Sequence, residues 1–404
     1  MTNDTPTIAP VTPAEDPLPP ASSKPSTRRV ILQMLAGMAV GVVVGVIGAR
    51  LLAGHTTPAE RGGLRRQLGP WTLPVLIPLL ILAAYFGIVV HELGHVAGGL
   101  LARFRFYLFV AGPLRVERDP DSGRVRVGLN RTVSMMGGLA ALLPTGTHDL
   151  WRRFGLLIAG GPLGSLALAV GAWALAAFGP PLSPLGKAVV EVTAIMSAGL
   201  LIATLLPMRT GGYPSDGARL LRLMRGGPAG MREAAMLPLI SLSVGETPPR
   251  EWPRDLVDAV VAARDASSEE CFGNLLAYCH ALDLGDVPLA TRRMERMVAL
   301  IPAVPRTSLG GLHLEAAFFA GAWLRDAARA RAHLAGIPPR VAVRPYDRAR
   351  SDAALAIAEG DLPRARTLAA QALAGLPGRA AFRRDSLAAA LARAEADVSA
   401  SGAS

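Results

Sequence analysis

The chain has little lysine, little cysteine and few aromatic residues. Of its 404 residues, only Lys24 and Lys187 are lysines, only Cys271 and Cys279 are cysteines, and 5% are aromatic. Two thiols exclude a disulfide framework and are too few for a zinc site of their own, so we interpret them as inert. The formal net charge of +11 comes almost wholly from arginine. Because aromatic residues do not accompany these arginines in a basic stripe, the composition argues against nucleic-acid binding.

Long apolar runs, by contrast, are abundant and unevenly spread. The apolar fraction is 51%, and the first 210 residues hold nearly all of the long runs. This distribution predicts a multi-pass protein of the cell membrane with a soluble C-terminal part. Helices of about 20 residues can cross a bilayer. The segments of that length are roughly 30–53, 71–101, 154–178 and 188–206.

The predicted fold class is mainly α. We expect a polytopic membrane helical bundle of about four transmembrane helices, with a short cytoplasmic β-hairpin and a C-terminal α-helical repeat-like domain. Residues 1–28 are rich in Pro, Thr, Ser and Asp, which predicts a disordered tail rather than a cleavable signal peptide. The other predicted parts are a membrane domain at 29–225, a linker at 226–250, the helical domain at 251–396 and a disordered tail at 397–404.

Arginine also predicts the orientation in the membrane. Nine arginines lie from Arg103 to Arg153, both included, whereas the turn between the third and fourth apolar segments contains only Lys187. Basic residues favour the cytoplasmic side. We therefore expect the Arg103–Arg153 loop and both termini to be cytoplasmic. Three arginines after the first apolar segment argue the other way, namely Arg61, Arg65 and Arg66.

Part of this loop has the pattern of β-strands. Residues 115–118 and 124–127 alternate polar and apolar side chains, and Asp119–Gly123 between them is a turn signal. We predict a β-hairpin over about 112–129. The preceding segment, Phe104–Val110, is aromatic enough to lie at the membrane interface.

The soluble part contains an internal echo. Gly285-Asp286-Val287-Pro288 recurs as Gly360-Asp361-Leu362-Pro363, and a fainter copy lies at Asp326. An alanine lies four residues after each Asp, at Ala290, Ala330 and Ala365. A proline ends the two clearer copies, at Pro302 and Pro377. The pattern loosely resembles tetratricopeptide-type helical repeats, in which small residues let paired helices approach. An unrelated helical bundle is the alternative, and either would offer a docking surface for a cytoplasmic protein.

The motif HELGH at residues 91–95 carries the clearest chemistry. His91 and His95 are four residues apart, so on a helix they share a face and can bind one Zn²⁺. Glu92 is turned away from that face and suits the role of general base. A chance match is the alternative. However, three ionisable groups directly after the apolar run 81–90 would cost several kcal/mol if they faced lipid without a function.

Catalytic zinc normally takes three protein ligands and leaves a fourth position open. We predict Asp216 as the third ligand, because it follows the fourth apolar segment and lies beside Pro214 and Gly217. An Asp-Gly pair is otherwise typical of a turn. The rival among the histidines is His148, which we interpret instead as a surface residue near the start of a helix.

Together these motifs resemble the site-2 protease family of intramembrane zinc metalloproteases. The resemblance covers roughly residues 71–225. Its other elements are AGGPL at 159–163, Leu205-Leu206-Pro207 and Ser215-Asp216-Gly217. It implies an enzyme that hydrolyses peptide bonds in or near the transmembrane segments of membrane-anchored substrate proteins. His91, His95 and Asp216 would hold Zn²⁺, with Glu92 as the general base.

Two positions depart from the family pattern. Thr204 and Ser165 stand where the family commonly has asparagines that position the substrate backbone. We expect both to keep that role by hydrogen bonding. The predicted hairpin lies where the family has a membrane-associated β-element, so an unwound substrate would pair with a strand that includes Val125.

Two other interpretations remain open from the sequence. One is a membrane-anchored scaffold that is catalytically weak or inactive and binds partners through its helical domain. The intact Glu92 argues against it, because a structural zinc site needs no base. The other is a zinc hydrolase of non-peptide substrates in the membrane.

Overall fold

The computed structural model describes residues 69–401 with short gaps. The gaps are residues 120–121, 131–136, 147, 211–212, 245–246, 340 and 378–379. The predicted N-terminal tail and the first predicted transmembrane segment, 30–53, lie outside the described residues.

Three helices in the described part of the chain are long and apolar enough to cross a membrane. They are α1 (Thr72–Leu101), α2 (Leu150–Phe178) and α3 (Pro184–Leu205). Large apolar side chains such as Leu82, Leu101 and Phe178 are exposed on them, which suits contact with lipid better than contact with water.

The boundaries of two of these helices differ from the predicted ones. α2 begins at Leu150 rather than at residue 154, and Leu150 is itself buried. α3 begins at Pro184 rather than at residue 188, because Ser183 caps it by accepting a hydrogen bond from the Gly186 amide. Proline at the first position of a helix loses no hydrogen bond that the helix could make. Both helices therefore extend beyond the apolar run that predicted them.

Glycines bring α1 and α2 into backbone contact. A Cβ atom added to Gly94 would overlap the Gly160 carbonyl, and one added to Gly160 would overlap the Gly94 carbonyl. At Gly98, the Leu156 carbonyl oxygen would be 2.5 Å away. Small residues spaced four apart are typical of such close crossings in membranes.

A four-stranded antiparallel sheet joins α1 to α2. Its strands are β1 (Phe104–Ala111), β2 (Leu114–Arg118), β3 (Val125–Leu129) and β4 (Leu139–Pro144), in the spatial order β3-β2-β1-β4. The predicted hairpin is present, with Val116 opposite Val127. The Asp119 carbonyl closes its turn by accepting from the Gly123 amide at 2.8 Å. The hairpin is only half of the sheet, since the segment predicted to lie at the interface is β1 and pairs with β4.

Arg153 ties this sheet to the helices. Its Nε donates to the carbonyl of Ala102, just beyond α1, at 2.8 Å, and its guanidinium lies 5.0 Å from the Phe104 ring centroid. A core of Phe104 and Leu142 from the sheet and Ile158 from α2 lies beneath. The end of α1, the sheet and the start of α2 therefore form one packed unit.

The chain returns from α3 to this same end of the bundle. A two-stranded hairpin, β5 (Arg209–Thr210) and β6 (Tyr213–Pro214), leads into α4 (Asp216–Arg225). Most of the predicted linker at 226–250 is helix α5 (Gly227–Val244). The buried Leu239 anchors this helix, and the buried Arg232 pairs with Asp265 at 2.7 Å.

In the described residues, the C-terminal domain consists of helices joined by loops, without β-strands. After α6 (Arg254–Val261), its helices are α7 (Ser268–Asp283), α8 (Val287–Leu300), α9 (Leu309–Ala322), α10 (Ala327–Ala335), α11 (Pro345–Ala358), α12 (Leu362–Gly375) and α13 (Ala381–Ser401). The three Asp residues of the internal echo cap α8, α10 and α12, and the alanines that follow them are fully buried. α13 continues to Ser401, into the segment from residue 397 that was predicted as a tail.

Candidate metal site

The three predicted metal ligands converge at the sheet-side end of the helical bundle. His91 and His95 lie one turn apart on α1, and their rings meet edge to face with centroids 4.8 Å apart. Asp216 is the first residue of α4. Its Oδ2 lies 3.1 Å from His91 Nε2 and 3.4 Å from His95 Nε2. The ligand atoms of the three residues all lie within 4.8 Å of one another, so this cluster could hold a metal ion.

The other nitrogen of each imidazole is held by α2. His95 Nδ1 lies 3.0 Å from the Leu157 carbonyl oxygen. The Gly161 backbone amide, which can only donate, lies 3.3 Å from the same nitrogen. With Nδ1 protonated and bonded to the closer carbonyl, the Nε2 lone pair is free for a metal. His91 Nδ1 lies 2.9 Å from Ser165 Oγ, which can accept in the same way. Both rings are thus oriented with Nε2 toward Asp216.

Gly161 leaves the space that a metal ion needs. A Cβ atom at this position would overlap His95 Nε2 and lie 2.8 Å from His91 Nε2. The missing side chain therefore creates a cradle beside both imidazole nitrogens. With two imidazoles, one carboxylate and this cradle, the residues fit a small divalent cation that prefers nitrogen and oxygen ligands.

The residues on either side of Asp216 fix the start of α4 against α3. Ser215 Oγ donates to the Leu206 carbonyl at 2.6 Å, and the Ser215 amide donates to the Met208 carbonyl at 2.9 Å. Gly217 packs so closely that an added Cβ would overlap the Leu205 carbonyl. In the Ser-Asp-Gly sequence, Ser215 thus caps α4, Asp216 joins the cluster, and Gly217 allows the close contact with α3.

Asp216 is ionised in this setting. Burial raises the pKa of its carboxyl, but the neighbouring His91 and His95 imidazoles outweigh burial and hold that pKa well below its usual range. An ionised carboxylate neutralises part of the charge of a divalent cation. Asp216 therefore contributes charge as well as geometry to the site.

Glu92 is buried beside the start of β4. A Cβ atom on Gly138 would overlap Glu92 Oε1, and Gly138 has a φ of +109°, which favours glycine. The Ala140 backbone amide hydrogen-bonds to the Glu92 carboxylate. A carboxylate held at this place borders the cluster without joining it, as a general base requires.

Of the remaining predicted site residues, Ser165 contacts the cluster. It is fully buried, and its Oγ lies 2.9 Å from His91 Nδ1. Thr204 Oγ1 donates to the carbonyl of Leu201 within its own helix at 3.2 Å. Val125 lies on β3, three strands from β4 and about 14 Å away at the usual strand spacing. His148 lies outside the cluster, as predicted.

Several residues that shape the site were given no role there by the sequence-based prediction. They are Gly161, Gly138, Ala140 and Ser197, whose hydroxyl donates to the Ser165 carbonyl at 2.8 Å. The paired spacings Gly94/Gly98 and Gly160/Gly164 were a readable signal for the close contact of α1 with α2. Gly138 and Ala140 gave none, because their role depends on how the sheet folds over α1.

Comparisons with family models, with curated proteins and with solved structures found no match for this chain.

Proposed function

We propose that the chain is an intramembrane zinc metalloendopeptidase acting on membrane-anchored proteins. The observation that carries the proposal is the convergence of His91, His95 and Asp216 with Glu92 beside them. Two imidazoles and one carboxylate form a three-ligand set typical of catalytic zinc, which keeps a further position open. The resemblance of the motifs to the site-2 protease family supports the same chemistry.

The chain's residues divide the chemistry between them. Zinc, when bound, would polarise the scissile carbonyl and lower the pKa of a water molecule. Glu92 takes the proton from the attacking water and delivers it to the leaving amide nitrogen. Ser165 and the Leu157 carbonyl keep both imidazoles in the tautomer that offers Nε2. A structural zinc site would need these ligands but would have no use for Glu92.

The outer edge of β4 is the best place for the substrate backbone. A transmembrane helix protects its own amides, so it must unwind before hydrolysis. Pairing with a strand edge replaces the hydrogen bonds that unwinding removes. The contact of Ala140 with Glu92 places that edge of β4 beside the base. We therefore propose β4, rather than β3 with Val125, as the substrate-pairing strand.

The bilayer geometry fits cleavage near one membrane surface. His95 lies about 9 Å along the helix axis from the end of α1, given a rise of about 1.5 Å per residue. The sheet, α4 and the helical domain follow on that side of the bundle. With the arginine-rich Arg103–Arg153 segment there, we infer that this side is cytoplasmic.

We further infer that the helical domain is a tetratricopeptide-like docking module. Three helix pairs, α7/α8, α9/α10 and α11/α12, each place an Asp at the start of the second helix. Each pair also buries the alanine that follows this Asp. Stacked pairs of this kind present extended surfaces to protein partners.

The test is the Glu92→Gln variant. It keeps the size of the side chain but removes the base. We expect it to retain zinc and to lose proteolysis by at least about 100-fold, the lower range for a general base. Zinc content is measured on the purified full-length protein, and cleavage is read from membrane-protein fragments in cells that express each form.

Glu395→Gln is the matched control, since Glu395 forms a surface pair with Arg366 in the helical domain. Equal fragment patterns for wild type and Glu92→Gln would refute a protease and favour a membrane-anchored scaffold.

A further inference from the structure

A chain of ion pairs connects α4 to two neighbouring helices. Arg222 Nη1 lies 2.9 Å from Glu269 Oε1 and 3.2 Å from Glu233 Oε2. Arg219 Nε lies 2.7 Å from Glu233 Oε1. Arg209 Nη2 lies 2.7 Å from both carboxylate oxygens of Glu269. The network thus alternates arginine and glutamate over five side chains.

Glu269 is the member that comes from the helical domain. It lies in the first turn of α7 and its side chain is only 16% exposed. Its two partners flank the metal ligand along the chain, because Arg209 in β5 precedes Asp216 and Arg222 in α4 follows it. One carboxylate therefore binds both the segment before Asp216 and the helix that begins at Asp216.

Loss of the Glu269 carboxylate would cost free energy. Its partly buried arginine partners would keep their positive charge but lose the negative charge that compensates it. Arg222 also pairs with Glu233 on α5, and Arg209 Nη1 lies 3.3 Å from Ser268 Oγ, on the same helix as Glu269. Removing the Glu269 charge should therefore loosen the hold of α7 on both β5 and α4.

We propose that Glu269 is a positioning residue for the metal site, so that the C-terminal helical domain sets the placement of Asp216. The inference rests on the proposed function, because it assumes that Asp216 binds zinc. Partners that shift α7 would act on the metal site through the same carboxylate. A charged residue that orients a ligand typically changes metal affinity by about 10–100-fold when it is removed.

The experiment measures zinc affinity by chelator competition on the full-length protein in detergent. Glu269→Gln should weaken zinc binding about tenfold, at the lower end of that range because it acts through the backbone. Glu269→Asp keeps the charge and should recover most of the loss. Glu395→Gln removes a glutamate from a surface pair of the same domain and should bind zinc as the wild type does.

Cleavage at saturating zinc separates positioning from general damage. If Glu269 positions Asp216, excess zinc restores the activity of Glu269→Gln. Thermal unfolding shows whether that variant folds. Should it not fold, Arg209→Lys serves instead, because lysine keeps the charge but cannot bridge both oxygens of Glu269. It should also bind zinc more weakly than the wild type.

The outcomes separate the two proposals. Zinc affinity equal to the wild type in folded Glu269→Gln, or in Arg209→Lys where that variant replaces it, would overturn the role of Glu269. A wild-type protein that binds no zinc would overturn the proposed function itself. Weak zinc binding that the aspartate variant does not improve would also count against positioning by charge.

Discussion

At the scale of single residues, the space beside the two imidazoles of the candidate metal site depends on Gly161, which has no Cβ atom. Gly161 stands on α2 where any other residue would place its Cβ against both imidazole nitrogens. The histidines cannot retreat, because each is hydrogen-bonded from behind by Ser165 or by the Leu157 carbonyl. If the cluster holds a metal ion, we therefore expect Gly161 to be as necessary as the three side chains, although it contributes no ligand atom.

Gly161→Ala should weaken zinc binding severely. The added methyl occupies the cradle, so we expect zinc affinity to fall by more than the 10–100-fold typical of outer residues. Zinc content after dialysis at fixed free zinc measures the effect. Gly171→Ala on the same helix is the control, because an added Cβ there meets no atom within 4 Å. Normal zinc content in Gly161→Ala would show that the metal does not lie in this cradle.

At the scale of the elements, the crossing of α1 and α2 sets the alignment of the ligands with the residues that hold them. Backbone contact at Gly94 and Gly160 brings the histidine face of α1 against α2. In a membrane this close packing replaces the hydrophobic drive that joins helices in water. The glycines of HELGH and AGGPL thus belong to the helix interface as much as to the site.

Gly94→Ala should destabilise the bundle. The new methyl overlaps backbone on α2, which cannot move aside as a flexible side chain could, and overpacking of this kind costs about 1–3 kcal/mol or more. We expect a lower unfolding temperature in detergent and weaker zinc binding. Gly87→Ala on the same helix, whose added Cβ would have only Leu200 within 4 Å, at 3.9 Å, should change neither. Unchanged stability of Gly94→Ala would contradict the crossing described here.

The sequence was most informative where a local residue pattern determines how its residues are arranged in space. HELGH predicted two ligands and a base because helical spacing puts the histidines on one face. Asp216 followed from its place after an apolar segment, and the Asp119–Gly123 turn predicted the hairpin. The structure confirms that the three ligand residues come together. It also confirms three apolar helices, each long enough to cross a membrane.

What the sequence did not predict depends on contacts between distant segments. Val125 was assigned to substrate pairing because its hairpin was visible, but the strand beside Glu92 is β4, whose pairing with β1 has no local signal. The helix at 227–244 was taken for a linker, since its stability comes from burying Leu239 and from the pair of Arg232 with Asp265. The sequence also gives no sign of the contact between Ser165 Oγ and His91 Nδ1, because that contact requires α1 and α2 to pack together.

At the scale of the whole molecule, acid should weaken the connection between the two domains. Burial raises the pKa of Glu269, but hydrogen bonds and charge from Arg209 and Arg222 outweigh it and lower that pKa to about 2. An unfolded glutamate titrates near 4.3. A carboxyl with a lowered pKa stabilises the fold fully above its unfolded pKa, and this stability is lost as pH falls toward its folded pKa.

The unfolding temperature of the full-length protein should therefore drop between about pH 4.3 and pH 2. Glu269→Gln should show a smaller drop over that range, because its side chain does not titrate. Calorimetry of both proteins at several pH values measures the difference, with Glu395→Gln as a control that retains Glu269. Parallel pH profiles for wild type and Glu269→Gln would mean that this carboxylate does not contribute.

The order in which the chain is made gives the position of Glu269 a further meaning. During synthesis α1, α2 and Asp216 emerge well before α7, and domains fold largely as they appear. A nascent chain would hold both histidines and Asp216 in the membrane before the carboxylate that clamps Arg209 and Arg222 exists. If Glu269 positions Asp216, the growing chain cannot complete a tight metal site until its soluble domain has begun to fold. Synthesis itself would then delay the proposed proteolysis until the proposed docking module is in place.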